Sequence, residues 1–254
     1  MRLLYTIMAA ASTAGALLLA GCSNKDAAAP DLGNDYYPVV VGTYRAYQVN
    51  DTVWANAVAA VPAPYQVREA ITGTYTDAAG QLAYRVEHAR RATASAAWAP
   101  DSTFALSVTP NAVVLNRGNR RTVEAVFPVR ENYLWNFNAY QGFSSITLPP
   151  ADTVNAQNRR YDRVGQALTV PVAGGTARAY DATATVSDAG AAAADDQCNL
   201  VGYQQVLARG VGPVLRRRVS LSFQVPGAGA CVRNGYRATS GAVHRETLID
   251  AGKL

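Results

Sequence analysis

The stretch VSLSFQV, Val219 to Val225, decides the fold. Val219, Leu221, Phe223 and Val225 alternate with Ser220, Ser222 and Gln224, so an extended chain here carries one apolar face and one polar face. A helix would scatter the same residues around its circumference. Working outward, the same period of two recurs along the chain. Tyr65, Val67, Glu69 and Ile71 alternate with Gln66, Arg68, Ala70 and Thr72, and Tyr84, Val86 and His88 with Arg85 and Glu87. Phe104, Leu106 and Val108, then Tyr180, Ala182, Ala184 and Val186, continue the pattern. Such runs put one face on a core and the other toward water, as antiparallel sheets do.

Turn-forming residues fall between the runs: TDAAGQ (76–81), NRGNR (116–120), PVAGG (171–175) and PGAGA (226–230). Each supplies the Gly, Asn or Asp that a reversal needs. TDAAGQ joins two strongly alternating runs and is the best hairpin candidate. AAAADD (191–196) has the composition of a short helix, but Gly190 in front of it favours a loop. No long stretch keeps a helical period with caps. The expected fold is all-β, mainly antiparallel: one domain over residues 35–254, built as a sandwich, a barrel or a strongly curved sheet.

The formal net charge is +5, and Lys25 and Lys253 are the only lysines. The arginines are scattered, which speaks against a nucleic-acid partner. The one triple run, Arg216 to Arg218, is expected at a solvated sheet edge or at the start of a strand. No G-x-S-x-G, H-E-x-x-H, P-loop or EF-hand loop occurs. GVGPVL (210–215) lacks the third glycine of a dinucleotide fingerprint. There is no C-x-x-C pair, and His88 and His244 are the only histidines, so neither a metal nor a cofactor is expected. Either histidine would act as a general base only with a carboxylate or nucleophile converging on it.

NYLWNFNAY (132–140) sets Tyr133, Trp135, Phe137 and Tyr140 among asparagines. Aromatic faces beside amides suit sugars or acyl chains, and the same rings would also fill a core and its rim.

The chain begins with Met1 and Arg2, then an uncharged run from Leu3 to Ala20. This is the layout of an export signal. The run is also just long enough for a membrane span, but the small residues from Ala9 to Ala16 dilute its apolarity. Leu19-Ala20-Gly21-Cys22 resembles the lipobox of bacterial lipoproteins. The resemblance implies cleavage of a leader, residues 1–21, and attachment of diacylglycerol to the Cys22 sulfur with acylation of its new amino group. Two or three chains on Cys22 would make membrane attachment effectively permanent. Residues 22–34 then read as the lipidated terminus and a polar tether. Ser23 after the cysteine implies, by the same resemblance, outer-membrane sorting, with the periplasmic and surface faces both open.

With Cys22 lipidated, Cys198 and Cys231 remain. An even pair in an exported chain is expected to form a disulfide, two free buried thiols being the alternative. Asp51-Thr52-Val53, Asp101-Ser102-Thr103 and Asp152-Thr153-Val154 fit the O-glycosylation pattern of Bacteroidota envelopes, which makes Thr52, Ser102 and Thr153 acceptor candidates. DYYPVVVGTYRAYQV (35–49), FPVRENYLWNFNAY (127–140), VLARGVGPVLRR (206–217) and LIDAGKL (248–254) resemble segments of uncharacterised Bacteroidota outer-membrane lipoproteins. That resemblance brings no catalytic residues. It implies an envelope lipoprotein whose β domain is a non-enzymatic binding or structural module for a glycan, lipid or protein. A carrier with an apolar concave sheet and a hydrolase with dispersed residues are the rival expectations.

Overall fold

The alternating runs form strands. The computed structural model describes residues 30–140, 157–172, 174–189, 194–195, 198–223, 231 and 238–254. The leader, Cys22, Thr153, Gln224, Val225 and the turn at 226–230 lie outside the described residues. A 3-10 turn, Asn34–Tyr36, precedes β1 (Thr43–Ala55), β2 (Val58–Ala60), β3 (Tyr65–Thr76), β4 (Leu82–Arg91) and β5 (Ala99–Thr109). Next come β6 (Ala112–Arg117), β7 (Arg120–Val126), β8 (Leu134–Asn136), β9 (Asn158–Val170) and β10 (Arg178–Asp188). The last are β11 (Ala194–Asp195), β12 (Asn199–Ala208), β13 (Gly212–Ser222) and β14 (Ser240–Lys253).

All of them belong to one antiparallel sheet, ordered β7-β6-β5-β4-β3-β1-β14-β13-β12-β10-β9-β8, with β2 on β1 and β11 on β12. The fold is all-β, as the periodicity predicts, and the sheet curls almost into a barrel. Its seam is the gap between the end strands β7 and β8. Among the described residues, hydrogen bonds bridge it: Val123 N–H donates to Phe137 O (2.9 Å), the Trp135 indole to Val123 O (3.0 Å), and Tyr161 hydroxyl to Val126 O (2.9 Å) while accepting from Val126 N–H (3.0 Å). Trp135 and Tyr161 pack as a tilted ring pair, centroids 4.7 Å apart, beside the seam. The main core holds Ile71, Val86, Phe104, Leu106, Val113, Trp135, Tyr161 and Val186. A second cluster gathers Tyr47, Val49, Val170, Val206, Val214 and Leu248.

The hairpin expected at 76–81 joins β3 to β4. Asp77 accepts from Ala79 and Gln81 N–H through one carboxylate oxygen, which fixes the reversal. NRGNR joins β6 to β7 with Arg117 opposite Arg120. At AAAADD the expected loop gives way in part to a strand: Ala194 and Asp195 pair with Val201 and Leu200. The Cys198–Cys231 disulfide is formed and closes the segment after β13 onto the start of β12.

Arg216 to Arg218 correct the sequence expectation. They lie on β13, which is flanked on both sides by β12 and β14. They are neither an edge nor a strand start. The alternation turns Arg216 and Arg218 to one face and Arg217 to the other. Of the apolar residues of the opening stretch, Val219 and Phe223 are buried and Leu221 is half-buried. Its polar partner Ser220 instead shares with Arg218 the lining of a cavity at the barrel mouth.

Candidate functional site

The order β3-β1-β14-β13 sets Glu69 opposite Arg45, and Glu246 opposite Arg216. Sheet curvature lets Arg216 span the concave face, passing over the Tyr47 ring at 5.0 Å. It donates from Nη1 to Glu69 (2.7 Å) and Glu246 (2.9 Å), and from Nη2 to the second Glu69 oxygen (3.1 Å). The fork geometry of the guanidinium suits this bidentate grip. Burial opposes the charge on Arg216, but the two carboxylates outweigh it and raise its proton affinity. Glu246 faces the same opposition. The hydrogen bond from His244 and the Arg216 guanidinium nevertheless hold its carboxyl at about 2.

His244 extends the network. Its Nε2 lies 3.0 Å from Glu246 and its Nδ1 2.6 Å from Asp51. The Glu246 hydrogen bond, assisted by Asp51, raises the imidazole above its ordinary value despite burial. The result is a row of alternating charges, Asp51, His244, Glu246, Arg216, Glu69, drawn from four strands. Each ring nitrogen of His244 thus faces a carboxylate.

Around this network lies a small chamber of about 90 Å³, bounded by Tyr37, Arg45, Glu69, Glu124, Tyr203 and Arg216 among others. Arg45 crosses its edge, donating to the Val211 and Pro38 carbonyls. Gly212 is required for this passage: its φ is +95°, and a Cβ there would lie 2.8 Å from the Arg45 guanidinium. Leu115, Arg117, Glu124, Tyr203 and Arg218 line both this chamber and a wider cavity of about 420 Å³. The chamber and the cavity therefore adjoin inside the curled sheet, the inner one narrow and the outer one, the mouth of this lumen, open.

The mouth carries four guanidiniums, Arg117, Arg120, Arg159 and Arg218, against two carboxylates, Glu124 and Asp188. Arg159 is 2 % exposed and sandwiched between Phe137 (3.4 Å) and Tyr203 (3.7 Å). Its nearest carboxylate oxygen, on Asp188, is 3.6 Å from Nε, beyond hydrogen-bond length. Nε, Nη1 and that oxygen make no hydrogen bond, although the two side chains stand as a buried ion pair. Burial raises the Asp188 carboxyl above the ordinary range, with Arg159 opposing. Glu124 is buried and accepts from the Thr122 hydroxyl at 2.7 Å.

Of the four aromatic candidates, Phe137 reaches this mouth. Trp135 is buried at the seam, Tyr133 lies under Arg130 (4.5 Å), and Tyr140 is exposed under Arg121 (4.6 Å). The asparagines between them hold the turn: Asn136 Oδ1 accepts from Asn138 and Gln157 N–H. His88 lines the inner chamber with Nδ1 2.6 Å from Asp101. A register shift between His88 and Ala89 brings this about, setting Asp101 as the extra residue on β5. Both candidate acceptors Thr52 and Ser102 sit on strands, next to the acidic residues that the histidines engage, and Ser102 Oγ accepts from Arg117 (3.3 Å). No helix among the described residues is long and apolar enough to cross a membrane.

The sequence matches no protein-family model, no curated protein and no solved structure. The geometry of the lumen and the N-terminal motif therefore carry the functional reading.

Proposed function

We propose that this chain is an outer-membrane lipoprotein, anchored through acyl chains on Cys22, whose β domain is a non-enzymatic binding module. The anchor rests on Leu19-Ala20-Gly21-Cys22 behind an uncharged run. The binding reading rests on one observation: an open cavity of ligand size inside the curled sheet, whose wall sets arginines and carboxylates beside Leu115, Phe137, Val201 and Tyr203. An acyl chain in the inner chamber would lie against the charged groups of Arg45, Glu69, Arg216 and Glu246, which favours a polar ligand over a lipid tail. Two experiments test this. Metabolic labelling with a clickable fatty acid marks the wild type and not Cys22→Ala; equal labelling of both sinks the anchor. Native mass spectrometry of the full chain extracted in mild detergent shows a stoichiometric adduct of defined mass. A bare mass under all extraction conditions sinks the binding module.

A further inference from the structure

The mouth of the lumen has more positive charge than its own carboxylates neutralise. Arg117 and Arg120 face each other across the β6–β7 hairpin, Arg218 comes from β13, and Arg159 from β9. Among the described residues, Arg117 meets the Phe104 ring (5.4 Å) and Ser102, and Arg218 the Tyr203 ring (5.7 Å); neither is paired with a carboxylate. Arg159 has a carboxylate neighbour that it does not hydrogen-bond. Arg159 and Arg218 both stand over the Tyr203 ring, at 3.7 and 5.7 Å, and share one cavity lining with Arg117 and Glu124, so groups from separate strands meet at one place. Guanidiniums with free donors, held on strands around an open cavity of about 420 Å³, form a receptor for oxygen anions.

We propose that Arg117, Arg218 and Arg159 form an oxyanion site that binds the phosphate or carboxylate groups of a small anionic ligand at the barrel mouth. This rests on the lumen being a binding site and names the class of ligand it takes. Arg117 and Arg218 close on the anion as bidentate donors, and Arg159 contributes charge from the wall. Arg120 raises the local potential from the hairpin tip. Glu124 opposes binding, so the site discriminates by charge and rejects neutral solutes of equal size.

The test is calorimetric titration of the full chain in neutral detergent with sodium pyrophosphate, and with trehalose as the neutral probe. Saturable pyrophosphate binding is expected. Arg117→Gln and Arg218→Gln should each weaken it about tenfold or more, since each removes charge-assisted hydrogen bonds. Glu124→Gln should tighten it severalfold, a change of sign that damage to the fold cannot produce. Raising the salt concentration should weaken the wild type more than either arginine variant. Mixed micelles of phosphatidic acid, against phosphatidylcholine, separate the sources: competition with pyrophosphate assigns a lipid headgroup, and its absence assigns a free solute. No saturable pyrophosphate binding, or binding that both arginine variants leave unchanged, overturns the proposal. If native mass spectrometry still shows an adduct in that case, the oxyanion site alone fails; if it shows none, the binding reading fails with it.

Discussion

Arg216→Met removes the centre of the charge row while keeping most of the side-chain volume. The wild-type guanidinium serves Glu69 and Glu246 with three hydrogen bonds, and the three side chains are only 14 %, 16 % and 19 % exposed. The methionine leaves two largely buried carboxylates without that cation. Breaking a buried pair in this way costs about 3–5 kcal/mol. For a domain of this size that is a loss of roughly 6–20 °C in Tm. Urea unfolding followed by tryptophan fluorescence at pH 7 reads the difference. The triple variant Glu69→Gln/Arg216→Met/Glu246→Gln has no unpaired charge and should recover most of the loss. The pH dependence gives an independent sign. In the wild type Glu246 is depressed to about 2, so its contribution is complete above its ordinary 4.5 and is lost as pH falls toward 2. In Arg216→Met the Glu246 carboxyl loses the guanidinium that helps hold it low and gains a proton more readily, so the deficit against wild type should narrow as pH falls from 7. A deficit under about 1 kcal/mol at pH 7, or a triple variant as unstable as the single, would refute the network as a structural element.

Four further outcomes are expected. Tyr161→Phe strips the seam of the hydroxyl that serves Val126 N–H and O, and should cost about 1–3 kcal/mol in the same urea assay. Gly241→Ala should destabilise by more than about 2 kcal/mol, because φ is +120° and a Cβ would sit 2.1 Å from the Ser220 carbonyl oxygen; an unchanged melt would contradict the packing there. Replacing Cys198 and Cys231 together by alanine opens a loop with a sequence separation of 33 and should lower stability by about 3–4 kcal/mol in the chain-entropy treatment. His244 is raised, so its contribution is complete below its ordinary 6.5 and is lost as pH rises through the raised value. His244→Gln should therefore flatten the alkaline limb of the Tm–pH curve.

Most of the strands were legible because alternation is local: Tyr65 to Thr72 or Phe104 to Val108 announces an extended chain without reference to any partner. The 76–81 turn was legible for the same reason, and the disulfide from the even count of remaining cysteines. The lumen was not legible. Glu69 and Arg216 are 147 residues apart and meet only because β1 and β14 lie between their strands. Nothing in RRRVSLS says that β13 is a central strand, so its arginines read as an edge when two of them line the interior. The mouth is assembled from β6, β7, β9, β10, β12 and β13, each bringing one to three ordinary residues. NYLWNFNAY had the composition of a sugar platform, but Trp135 and its neighbours are engaged in closing the sheet. Phe137 alone of the four both fills the wall and faces the cavity.

The pairing of β1 with β14, from Thr43–Lys253 to Trp54–Gly241, makes the first long strand wait for the last. A growing chain that has delivered β1 to β13 still presents two open edges, and these close only when residues 240–253 arrive. A product truncated before Ser240 would lack the segment that supplies His244 and Glu246 as well as the joining strand. It would expose β1 and β13 together, a form open to proteases and to pairing with its own kind. One strand, β14, thus covers two edges at once, and each of them depends on it for concealment.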